Sequence, residues 1–79
     1  MKLDFKESAY SDFKYWITKD RKKAIKIIAF FEDIEIHPFT GIGKPEPLKH
    51  QLSGYWSRRI DDEHRLIYTV KSDTIEITF

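Results

Sequence analysis

From Tyr55 to the end of the chain, apolar residues recur with period two. Trp56 and Ile60 share one side of a first segment, Leu66, Tyr68 and Val70 one side of the next, and Ile75, Ile77 and Phe79 one side of the last. Such alternation marks strands with one buried and one open face. Ser53-Gly54 and Lys71-Ser72-Asp73-Thr74 punctuate the pattern as turns. The spacing predicts strands over 55–61, 64–70 and 75–79, preceded by a short strand over Leu48-Lys49-His50-Gln51-Leu52.

The first half is organised differently. Leu3-Asp4-Phe5 alternates and predicts a short strand at 2–6. Ser8 is a candidate cap for a helix in which Ala9, Tyr10, Phe13, Trp16 and Ile17 recur at helical spacing, fading near Thr18-Lys19. Asp20 is the candidate cap of a second helix, with Ala24, Ile25, Ile27, Ile28, Phe31 and Ile34 as its apolar stripe. Arg21, Lys22, Lys23, Lys26, Glu32, Asp33 and Glu35 form its wet face, and His37-Pro38 ends it. A strand, two helices and an antiparallel β-meander make an α+β fold with the helices packed on one face of one sheet.

With 79 residues, the expectation is one domain spanning 1–79. The chain has no cysteine, so neither disulfides nor Cys-based zinc sites are available. The N-terminus lacks the apolar core of a signal peptide, and no stretch approaches the roughly 18 apolar residues of a membrane span. A cytoplasmic protein with no membrane partner is expected. Residues 1–36 carry eight basic and seven acidic groups, well interspersed. The basic excess lies instead in Lys44–Ile60, where Lys44, Lys49, Arg58 and Arg59 face only Glu46.

Facing the apolar sets of both central strands toward the helices requires Ile60 to lie opposite His64, around a three-residue loop, Asp61-Asp62-Glu63. Arg59 and Arg65 then become cross-strand neighbours on the open face, and Arg58 turns away from it. Like charges directly opposite are destabilising in a sheet. Two readings follow: an anion-binding site, since the planar guanidinium suits phosphate, or a structural salt bridge in which Asp61 or Glu63 neutralises the pair. In the last hairpin, Val70 pairs with Ile75, Tyr68 with Ile77 and Leu66 with Phe79.

Other groups in this stretch bear on chemistry. Glu46 stands in Pro45-Glu46-Pro47, whose restricted backbone makes it either a rigid general base or an exposed loop carboxylate. His50 and His64 can exchange protons near neutrality; His64 falls on the apolar side, as a hydrogen-bonded structural histidine, while the role of His50 stays open. Glu46 and His50 do not sit on a predicted helix and do not read as a zinc pair. Tyr55 points to the open face, where bases could stack, and Trp56 to the core. Gly41 and Gly43 lack the spacing of a phosphate-binding loop. A carboxylate base with phosphate-facing arginines suits RNA cleavage by the RNA's own 2′-hydroxyl.

The run Lys44-Pro45-Glu46-Pro47-Leu48-Lys49-His50, with Leu52-Ser53-Gly54, Trp56-Ser57-Arg58-Arg59-Ile60 and Glu63-His64-Arg65-Leu66, resembles the YoeB toxins of the RelE/ParE superfamily. Met1-Lys2-Leu3, Tyr15-Trp16 and Pro38-Phe39-Thr40-Gly41-Ile42-Gly43 fit the same pattern. The resemblance implies a RelE-like fold and a toxin of a type II toxin–antitoxin module that cuts mRNA in the ribosomal A site without cofactor or metal. It implies a YefM-type antitoxin as partner, contact with operator DNA only through the antitoxin complex, and homodimers. Glu46 matches the family's general base, Arg65 its phosphate-stabilising arginine and Arg59 a basic active-site position. Lys49 and His50 match positions lining the site; with Lys44 and Tyr55 they form the candidate RNA-binding set. The family's chain runs a few residues past position 79 into a Tyr-His-Tyr-like tail that supplies a histidine acid, so impaired cleavage is the expectation for these 79 residues. The alternatives are an inactive form that only binds antitoxin or ribosome in operon autorepression, and a ParE-like gyrase inhibitor, against which Glu46 and the paired arginines argue.

Overall fold

The structure, a computed structural model, describes residues 2–78. In chain order the elements are β1 (Lys2–Phe5), α1 (Glu7–Lys19), α2 (Arg21–Ile36), β2 (Glu46–Pro47), a 3-10 turn (His50–Leu52), β3 (Tyr55–Arg59), β4 (Arg65–Lys71) and β5 (Thr74–Ile77). They form one five-stranded sheet of order β1-β5-β4-β3-β2. β2 to β5 make the expected antiparallel meander, and β1 closes the far edge parallel to β5.

Both helices lie on one face of this sheet, where Ile60, Leu66, Tyr68, Ile75 and Ile77 pack with Ala9, Ile27, Phe30, Phe31 and Ile34. Burying an aliphatic or aromatic side chain of this size is worth about 1.5–3 kcal/mol. The helix stripes are narrower than the sequence suggests. Phe30, absent from the expected stripe of α2, is 1% exposed, whereas Ile25 and Ile28 are 56% and 44% exposed. The buried set follows the i, i+3, i+4, i+7 pattern Ile27, Phe30, Phe31, Ile34, which leaves the neighbouring isoleucines at its rim. On α1, Ala9 is buried and Phe13 and Trp16 pack against the core, but Tyr10 and Ile17 face outward.

Asp20 caps α2 as expected, its side chain accepting from the Lys23 amide at 3.2 Å. Ser8 does not cap α1. The Lys6 amide donates to the Ile77 carbonyl at 3.1 Å, so the helix begins at Glu7, directly after β1. The Ile60 amide donates to His64 O at 2.9 Å, and Arg59 pairs with Arg65, so the three-residue register is the one adopted. Val70–Ile75 and Tyr68–Ile77 pair as expected; the Leu66–Phe79 pair lies outside the described residues.

The strand expected at Leu48–Leu52 is not formed. The strand lies two residues earlier, at Glu46–Pro47, followed by the 3-10 turn. Its brevity has a direct cause. Pro45 and Pro47 offer no N–H to a ladder, a tolerable defect only at the sheet edge, where β2 lies. His50 then takes a left-handed conformation, φ 58°, that breaks extension.

Candidate active site

The open face of the sheet brings Glu46, Ser57, Arg59 and Arg65 together. Glu46 pairs with Ser57 across β2 and β3, and Arg59 with Arg65 across β3 and β4, so both rows share that face. Two residues along a strand span about 6.6–6.8 Å. Across that gap Arg65 reaches back, its Nη1 lying 3.5 Å from Glu46 Oε2 and 3.5 Å from Ser57 Oγ. The two side chains of the ion pair are 52% and 63% exposed. At this length and exposure the pair contributes little to stability.

Arg59 Nη2 donates to Asp62 Oδ1 at 2.8 Å. Asp62 therefore takes the place expected of Asp61 or Glu63. Asp61 is committed elsewhere: it pairs with Lys23 at 2.6 Å and accepts from the amides of Glu63 and His64 at 2.8 and 2.6 Å. An arginine carries five N–H donors. Among the described residues Arg59 uses one of its donors, on the exposed Asp62 at 2.8 Å, and Arg65 makes only the two 3.5 Å contacts, so both can turn donors toward an incoming anion.

Lys44, Lys49 and His50 are exposed and Tyr55 is half-buried. Among the described residues no side-chain hydrogen bond joins them to Glu46, Arg59 or Arg65. His64 Nδ1 lies 3.0 Å from Asp61 Oδ1 and its ring stands edge-on to Trp16 at 4.8 Å, so it is hydrogen-bonded as expected, but its side chain is 48% exposed rather than buried on the apolar side. Trp56 packs against the core and Phe39. A cleft of about 690 Å³ lies between α1 and the β3–β4 hairpin, with Tyr15, Trp16, His64, Arg65 and Ile67 in its walls. Among the described residues no group of three His, Cys, Asp or Glu could hold a metal ion.

Arg58 is the contrast. It is 0% exposed on the helix-facing side of β3. Its Nε donates to the Tyr68 hydroxyl at 3.2 Å, Nη1 to Asp33 and to Ile42 O at 3.0 Å, and Nη2 to His37 O at 2.5 Å and Thr40 O at 2.8 Å. The Tyr68 hydroxyl in turn donates to Pro38 O at 2.7 Å. Thus one guanidinium fixes the loop between α2 and β2. The sequence pattern placed Asp33 on the wet face and gave no hint of this cluster by itself. A signal was present all the same: a register that puts Arg58 between Trp56 and Ile60 demands a carboxylate on the helix above it.

The loop must lie close against this cluster. A Cβ on Gly43, at φ +79°, would meet the Phe30 ring at 2.7 Å, whereas one on Gly54, at φ +95°, would meet nothing within 4 Å. Gly54→Ala is expected to cost only the left-handed backbone penalty, about 1–2 kcal/mol. Gly43→Ala adds a clash with the core and should cost more. Urea denaturation of the two variants checks the order, and equal losses would contradict the packing described.

Charge makes the fold sensitive at both pH extremes. The hydrogen bond from Arg58 holds the Asp33 carboxyl below its usual range, and that from Lys23 does the same to Asp61. Both groups thus stabilise the fold above the ordinary carboxyl value, about 3.9, and lose that contribution as pH falls through their lower folded values. Burial raises the Tyr68 hydroxyl. Its contribution is present below the ordinary value of about 10 and is lost as pH rises through the higher folded one. Melting temperature should fall below about pH 4 and above about pH 10. A flat profile from roughly pH 5 to roughly pH 2 would contradict the two carboxylate assignments.

The fold and the open-face carboxylate and arginines define a small α+β protein of the RelE-like kind. Residues 5–79 match the family described as the YoeB-like toxin of bacterial type II toxin-antitoxin system. Toxin YoeB of Mycobacterium bovis is 52% identical over 73 residues, covering 92% of this chain and 86% of that toxin. The YoeB/ParE toxin from Agrobacterium tumefaciens superposes with a TM-score of 0.93 at 40% identity, over 98% of this chain and 92% of that one. The toxin of the heterotetrameric YoeB–YefM complex from Staphylococcus aureus and the YoeB dimer of that organism each give 0.88 at 44% identity, over 98% of this chain and 90% of theirs. The chain belongs to the YoeB family of type II toxins.

Proposed function

We propose that this toxin is a ribosome-dependent mRNA endoribonuclease acting on the A-site codon. Glu46 removes the proton of a 2′-hydroxyl. The freed oxygen attacks the adjacent phosphorus, and the bond to the 5′-oxygen breaks, leaving a 2′,3′-cyclic phosphate and a 5′-hydroxyl end. Arg65 and Arg59 stabilise the extra negative charge on phosphorus. The leaving 5′-oxygen takes its proton from solvent water, to which the protonated Glu46 returns the one it removed, and none of the described side chains is assigned as the acid. Lys44, Lys49, His50 and Tyr55 line the approach as RNA contacts.

The observation that carries this reading is the meeting of Glu46 with Arg65, both exposed, on a face where the arginines keep donors that no other described residue takes up. Ribosomes holding a defined codon in the A site provide the test. A single cut in that codon is expected, with none in free mRNA and none from a Glu46→Gln, Arg65→Ala double variant. Full activity of the double variant would sink the reading. The partner proposed is a YefM-type antitoxin that covers the site and carries the DNA contacts of the complex. The Staphylococcus aureus complex supports it, and the dimer from that organism supports self-association.

A further inference from the structure

Arg58 has no donor left for a substrate and lies on the face opposite the candidate site, yet its contacts lead to Glu46. Five N–H groups are what a guanidinium has, and all five are taken by Tyr68, Asp33 and the carbonyls of His37, Thr40 and Ile42. Three of these acceptors are backbone atoms of the loop that delivers β2, and a fourth, Tyr68, holds Pro38 of the same loop. The next residue, Gly43, is fixed by its carbonyl, which accepts from the Arg59 amide at 2.8 Å. Only Lys44, left-handed at φ 52°, and Pro45, with its fixed φ, separate that anchor from Glu46. A non-glycine residue held at positive φ persists only where its surroundings over-determine it. The chain therefore has little freedom between the buried guanidinium and the carboxylate. The pairing of β2 with β3 is short: β2 has two residues, one of them a proline, and beyond them only the Leu48 amide continues it, donating to the Tyr55 carbonyl at 2.9 Å, so the loop on the other side of Glu46 bears on where the carboxylate sits.

We infer that Arg58 is a positioning residue for Glu46: it fixes the loop of residues 37–43 from the core side so that the carboxylate meets Arg65 on the open side. This rests on the reading of Glu46 as the base. The side chain never touches RNA. Lysine at 58 would keep the charge beside Asp33 but, as a point donor on a flexible stem, could not bind three loop carbonyls in one plane.

The test compares the parent protein with Arg58→Lys, Glu46→Gln and the double variant. Single-turnover cleavage on ribosomes with a defined A-site codon is read as two quantities, the rate at saturation and the half-saturating concentration, and thermal melts establish that each variant is folded. Arg58→Lys should lower the saturating rate about 10²-fold, the scale of an ångström misplacement of a catalytic group, with half-saturation unchanged. In the Glu46→Gln background it should cost nothing further, because the base it positions is already gone. If Arg58→Lys does not fold, Tyr68→Phe replaces it: the ring stays, and only the hydroxyl between Arg58 and Pro38 is removed. The same pattern, smaller, is expected. A folded Arg58→Lys or Tyr68→Phe protein cutting at the parent rate would overturn the positioning role alone, provided Glu46→Gln is impaired. Equal fractional losses with and without Glu46 would also overturn it, marking general damage. Parent-rate cleavage by Glu46→Gln would remove the base itself, and the role of Arg58 with it.

Discussion

Glu46→Gln is expected to slow A-site cleavage by about 10²–10⁴-fold, the usual worth of a general base. The amide keeps the shape of the side chain and its place between Pro45 and Pro47, but it cannot accept the 2′-hydroxyl proton. Stability should hardly change. The substitution removes only an exposed ion pair at 3.5 Å, and such pairs contribute at most about 1 kcal/mol. Arg65→Ala should cost about 10²–10³-fold, as removal of one transition-state donor does. Lysine at 65 should restore only part of this, since it has no planar fork to match phosphate. Primer extension on programmed ribosomes measures each rate. If Glu46→Gln cuts as fast as the parent, the carboxylate is a bystander.

Arg58→Ala, by contrast, is expected to destabilise the fold by about 3–5 kcal/mol, the cost of leaving a buried ionic partner uncompensated. It strands Asp33 together with the carbonyls of His37, Thr40 and Ile42. At roughly 0.05–0.15 kcal/mol per residue, a domain this size carries only about 4–12 kcal/mol in all. The adjacent residue gives the control. Arg59 is 47% exposed and its partner Asp62 95% exposed, so Arg59→Ala should shift stability by no more than about 0.5 kcal/mol. Urea midpoints for the two variants should therefore differ widely although the residues are neighbours. Similar midpoints would mean that the guanidinium of Arg58 is not the anchor of the loop.

The contrast between these two arginines also marks how far the sequence could be read. Period two told which side of β3 each residue faces, because alternation is a property of the chain itself. From it came the Arg59–Arg65 pairing and the three-residue loop, both present in the structure. The helices, their order and the cap at Asp20 were legible for the same local reason. What escaped depends on contacts between distant segments. Asp33 reads as one more charge on a wet helix until Arg58 is placed beneath it. Ser57 reads only as a serine without the setting of a catalytic triad until Arg65 folds over it. Phe30 looks peripheral until Gly43 presses against its ring. The misplaced strand at Leu48–Leu52 is a different error. Its apolar spacing suggested extension, but the prolines and the left-handed His50 shortened the edge strand and moved it to Glu46–Pro47.

Attack by the substrate's own 2′-hydroxyl depends on a single atom, and removing that atom tests it. Two mRNAs are placed on ribosomes with the same A-site codon, one all-ribose and one carrying a 2′-deoxynucleotide immediately 5′ of the scissile phosphate. The all-ribose message should be cut to a 2′,3′-cyclic phosphate and a 5′-hydroxyl end, and the deoxy message should stay intact at that bond. Cleavage of the deoxy message at the same bond and rate would contradict the mechanism.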